Sequence, residues 1–221
     1  MRTTMTWEVQ FAELRDALTA LVAAADGVRP WCDSGPFGPH SPIDQHELTA
    51  FEAEHRVRLP DECREFLIRV GDGGRWPGVV QERFGWIGDT PWRQGDGWVG
   101  PLSATFTIYG AWNDQSGRPA VDQEREGDAE YERQHEEWMG RHFDPSRLAG
   151  AMPLHDYGCN QYAWLVVTGP QAGGVYYDGR GNDEGIFPFL YPDGARRMRF
   201  LDWFRSRVAA ATRRLRDAKL A

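Results

Sequence analysis

Residues 59–74 read LPDECREFLIRVGDGG, and the parsing of this stretch decides the fold. Pro60 breaks the chain after Leu59. Asp61 and Glu62 then fall in the first turn of a new helix, where the positive end of the helix dipole favours acids. Cys63, Phe66, Leu67 and Val70 follow at i, i+3, i+4 and i+7, so one face is apolar and needs a cover. Gly71 is expected to stop the helix in the left-handed conformation, and Gly73 and Gly74 free the backbone for a sharp reversal. The glycines follow a helix instead of opening one, and no Lys-Ser/Thr pair accompanies them. They turn the chain and do not cradle phosphate.

Upstream, Ser41-Pro42-Ile43-Asp44 predicts a helix start with Ser41 as cap and Pro42 in the first helical position. Leu48, Phe51 and His55 fall on one side of it. Trp7, Phe11, Leu14, Leu18, Leu21 and Val22 predict an earlier amphipathic helix, capped by Thr6 and ended by Gly27 and Pro30. Residues 27–40 are turn-rich and read as a linker.

Downstream the period changes. Trp76, Trp86, Trp92 and Trp98 are scattered among glycines in short strands or loops, and residues 104–109 (ATFTIY) predict a strand. Residues 162–167 and 174–177 form a hairpin around the turn-type loop 168–173. Residues 186–190 add an edge strand, because Pro188 is tolerated only at an edge or an end. Leu201, Phe204, Val208, Ala211 and Leu215 mark a last helix over about 199–219.

Charge is separated along the chain. Residues 113–147 hold ten acids and five arginines with few apolar positions, and read as a solvated acidic insertion, helical over 124–139. From Asp193 to the end, nine basic residues face three acids. The 221 residues carry a formal net charge of −8, which argues against binding nucleic acid or an anionic membrane. The charge suits a basic protein partner, although solubility accounts for the same number. Three cysteines (Cys32, Cys63 and Cys159) form no CxxC, so neither a disulfide framework nor a structural zinc site is expected. With no signal-peptide pattern at the amino terminus, the expected location is cytoplasmic.

Motifs for chemistry fail on inspection. His46-Glu47-Leu48-Thr49-Ala50 lacks the second histidine of HExxH, and so does His135-Glu136-Glu137-Trp138-Met139. Residues 178–184 (DGRGNDE) resemble a calcium loop only faintly, since Arg180 and Asp183 replace a ligand and the turn glycine; a polar turn is expected. His155 and Cys159 lie near each other in sequence, but a buried, inert thiol is the plainer reading. No catalytic residue, cofactor or metal is expected.

The block IDQHELTAFEAEHRVRLPDECREFLIRVGDGG resembles the signature of the SUKH superfamily, the domain of fungal Smi/Knr cell-wall regulators and of many bacterial immunity proteins. Ile43, Phe51, Leu59, Pro60, Phe66, Leu67, Gly73 and Gly74 carry the match. Gly100-Pro101-Leu102 and the segment MPLHDYGCNQYAWLVVTGPQAGGVYYDG are similar to later parts of the pattern. The resemblance implies an α+β fold, a mostly antiparallel sheet with helices packed on one side. It implies a protein-binding scaffold with no catalytic residues, often neutralising a toxin of the same strain. The organisation expected is an N-terminal helix within 1–30, one SUKH-like domain over 41–204 interrupted by the insertion 113–147, and the end of a basic helix over 205–221. Candidate partner-binding residues are Asp122, Glu124, Glu126, Asp128, Glu130, Glu132, Glu136 and Glu137, with Tyr131 and Trp138 as apolar anchors. The partner expected is a basic toxin domain, for instance of a nuclease; the alternative is a regulatory scaffold of the Smi/Knr type, and an enzyme using Cys159 and His155 is a third reading.

Overall fold

The computed structural model describes residues 6–25, 38–75, 100–120 and 128–220. Helix α1 (Trp7–Ala24) buries Phe11, Leu14, Leu18 and Leu21, the stripe its spacing predicts. Thr6 holds the N-cap position in an extended conformation without a side-chain hydrogen bond. Most of the expected linker, Cys32, and the four tryptophans between 76 and 98 lie outside the described residues.

Helix α2 (Gln45–His55) starts later than the serine-proline reading predicts. Asp44, not Ser41, is the N-cap, and it exchanges hydrogen bonds with Glu47 in a capping box. The reason lies in the backbone of residues 40–43, which is spent elsewhere. The Ser41 carbonyl accepts from Asp72 N, and Ile43 N donates to the Leu67 carbonyl. Pro42 is therefore part of an extended segment, a conformation its fixed φ equally allows.

Helix α3 (Asp61–Arg69) is the element of the opening stretch, with Cys63, Phe66, Leu67 and Val70 all buried. The Phe66 ring meets Phe11 at 6.5 Å, Phe200 at 5.4 Å and Phe204 at 4.9 Å, and so joins three helices. The glycine stop differs from expectation. Gly71 has no positive φ; it is small because a Cβ there would meet the His40 carbonyl at 2.4 Å. Gly73 carries the left-handed turn, at φ 78°. Strand β1 (Gly38–Pro39) then pairs antiparallel with β2 (Gly74–Arg75).

The main sheet is antiparallel, in the order β3 (Ala151–Gly158), β4 (Gln161–Val166), β5 (Val175–Asp178) and β6 (Ile186–Pro188). The hairpin β4–β5 and the proline-bearing edge strand stand where the sequence puts them. Strand β3 is an addition. The 104–109 segment is extended, with Phe106 and Ile108 buried between exposed neighbours, but it is no ladder strand; Phe106 N reaches the sheet's margin at the Thr168 carbonyl.

Side chains alternate across the sheet, as a period of two requires. Met152, Leu154, Ala163, Leu165 and Val175 face a core shared with α1, α2, α3 and α5 (Phe200–Leu220). Ala151, Trp164, Val166, Tyr176 and Ile186 face a second core completed by Phe106, Ile108 and Leu148. The result is an α+β fold with terminal helices layered on one sheet face. Glu62 locks that layer: its carboxylate accepts from Leu201 N in the first turn of α5 and from Arg199 Nε, both at 3.1 Å.

Candidate partner-binding face

Helix α4 (Ala129–His142) occupies the acidic segment. Asp128 caps it, accepting from Glu130 N at 2.9 Å and Tyr131 N at 3.3 Å, so this candidate serves the helix end. Glu130, Glu132, Glu136 and Glu137 are exposed. Arg133 lies between Glu130 and Glu137 and pairs with both, which pushes its pKa further up. Asp122, Glu124 and Glu126 lie outside the described residues.

Trp138 corrects the expectation of an exposed anchor. It is 3% exposed, and together with His142, at 1%, it forms the buried side of α4. The segment is thus solvated on one face only. Trp138 and His142 are i, i+4 neighbours, so their rings stack, at 4.8 Å between centroids. Trp112 covers the other side of His142 at 5.6 Å. Arg118 lies 4.8 Å over Trp138, and Arg147 lies 4.7 Å over Trp112. The five groups form one continuous stack, cation, indole, imidazole, indole, cation. His142 Nδ1 is 3.2 Å from the Asp114 carbonyl; a carbonyl only accepts, so Nδ1 carries the proton. Tyr131 is half-buried and stacks on His135 at 6.2 Å.

The polar turn expected at 178–184 is present, with residues 181–184 exposed, but it opens on a buried ion pair. Asp178 and Arg180 are 2% and 1% exposed and form a two-pronged ion pair, Nε to Oδ1 and Nη2 to Oδ2, each 2.8 Å. The remaining Arg180 nitrogen, Nη1, donates to the His142 carbonyl at 3.0 Å, and the guanidinium lies 5.5 Å over Phe143. Arg180 therefore fastens the C-terminal end of α4, where orphan carbonyls and dipole both favour a cation. Arg118 pairs with Asp183 at 2.8 Å and ties the 113–118 loop to the same turn. Sequence reasoning missed Arg180, His142, Arg118 and Trp112; the available signal was the i, i+4 aromatic pair on α4.

His155 and Cys159 are not brought together. His155 sits within β3, whereas Cys159 follows the strand's end at Gly158, in the turn to β4. Cys159 is exposed at a turn with φ 51°, not buried as expected. His155 is half-buried, and burial first, then the charge of Arg207, lowers its pKa to about 4. Among the described residues no cluster of three His, Cys, Asp or Glu could hold a metal ion, and no helix is long and apolar enough to cross a membrane.

No protein-family model matches the chain, and no curated protein or solved structure does so either.

Proposed function

We propose that this chain is a protein-binding module, an immunity protein that neutralises a basic toxin domain in the cytoplasm by covering it with the outer face of α4. One observation carries the reading. The four glutamates of that face, two of them paired with Arg133, stand on a helix whose other side is clamped by the Trp112–His142–Trp138 stack and by Arg180. A clamped helix loses little conformational entropy on docking, so the acids are preorganised for a cationic surface. Carboxylates on such a face steer encounter with a basic cleft and set its register. Met139, 37% exposed beside the acids, supplies an apolar contact in place of the buried Trp138.

The test is co-expression with the product of the adjacent gene, followed by pull-down and a survival assay. A stable complex that protects the cell, weakened at least tenfold by Glu132→Lys with Glu136→Lys at unchanged thermal stability, is the expected result. Several weak partners and no toxic neighbour would contradict the immunity reading and favour a Smi/Knr-type scaffold.

A further inference from the structure

A second surface carries the opposite charge and lies on the other side of the sheet. The outer flanks of α1 and α5 enclose an open groove of about 470 Å³, a size that takes a few apolar side chains or a small ligand. Leu14 and Ala17 of α1 and Val208 and Ala209 of α5 line its floor. Ala17 and Ala209 are exposed methyl groups, so the groove's width depends on two short side chains. Thr212 lines the wall, but its hydroxyl is spent on the Val208 carbonyl at 2.9 Å.

The rim is cationic. Arg213 and Arg216 border the groove and are exposed, and neither meets a carboxylate among the described residues. Arg205 is partly occupied by the Gln10 carbonyl at 3.1 Å. Glu13 is the one acid on the lining.

We propose that this groove docks an amphipathic acidic helix of a partner protein. The apolar floor stabilises aliphatic side chains at i, i+3 and i+4, in the helix-in-groove mode. The Arg213 and Arg216 guanidiniums pair with carboxylates flanking that stripe. Glu13 sets direction by favouring a lysine at the far end. A single-stranded nucleic acid does not fit, because the floor offers no aromatic ring for base stacking. A membrane does not fit either, since a flat lipid surface cannot enter a concave floor lying between two helices. The site is separate from α4, so both surfaces can be filled at once.

The probe is a fluorescent synthetic helix of about 18 residues with a Leu/Ala stripe and flanking glutamates. It is titrated into the full chain by anisotropy, beside a lysine-flanked copy and phosphatidylserine vesicles. The acidic helix is expected to bind in the micromolar range at about 50 mM salt and to weaken as salt screens the pairs. Arg213→Glu with Arg216→Glu is expected to reduce affinity roughly tenfold, the size of a lost pair of charged contacts. Ala17→Trp, which fills the groove and leaves every charge in place, is expected to abolish binding. Equal binding of the lysine-flanked helix, wild-type affinity in either variant, or binding to vesicles alone would overturn the proposal. Circular dichroism on each variant separates loss of the site from loss of the fold.

Discussion

Arg180 donates through Nη1 to the main-chain carbonyl of His142, at 3.0 Å. This contact joins the turn after β5 to the end of α4. It gives a charge-rich segment a fixed position on that turn.

Replacing Arg180 tests that joint. Arg180→Ala leaves Asp178 buried and unpaired, and removal of one partner from a buried pair costs about 3–5 kcal/mol. Urea unfolding should show that loss, and hydrogen exchange should show the α4 amides opening first. The paired replacement Asp178→Leu with Arg180→Met should cost less than the single change, since no charge is stranded. An Arg180→Ala protein within about 1 kcal/mol of the parent would remove the joint from the account.

His155 gives the fold a pH dependence. Its pKa is about 4 in the folded chain against an ordinary 6.5, so the unfolded chain takes the proton first. Stability is full above pH 6.5 and falls as the pH drops towards 4, by about 3 kcal/mol in all. Asp114, Asp144 and Asp193 are lowered from 3.8 by local hydrogen bonds, so their contributions are lost below that window. Denaturant titrations at several pH values check the slope, and His155→Phe should flatten it. A parent protein equally stable at pH 4.5 and 7 would sink the assignment.

Glu62 is the link between α3 and α5. Glu62→Ala removes the acceptor for Leu201 N and the partner of Arg199, which should cost about 2 kcal/mol. For a chain of this length that is a fall of about 4–8 °C in Tm. Glu62→Gln keeps an acceptor and should lose about half as much. An unchanged Tm in the alanine variant would mean that packing around Phe66 alone holds the helices together.

The helices and the hairpin were legible because their cores are periodic. Phe11, Leu14 and Leu18, or Phe66, Leu67 and Val70, state a helical face directly. Strand β3 was not legible, because Ala151, Met152, Pro153 and Leu154 are all buried and show no alternation. The strand read over 104–109 has the right composition but pairs with no strand among the described residues, and composition does not report pairing. The helix at 129–142 was legible, but its buried side was not, since Trp138 and His142 are covered by Trp112 and fastened by an arginine 38 residues further on. Charged residues that pair in the interior look like surface until their partners are known, as Asp178 and Arg180 did.

The central claim is electrostatic docking by α4, and its most direct test is calorimetric titration with the neighbouring toxin domain at about 50 and 500 mM salt. The account predicts a tight complex whose Kd rises at least tenfold across that range, and a parent-like salt slope lost in Glu132→Lys with Glu136→Lys. A Kd unchanged by salt and by the reversed charges would contradict it.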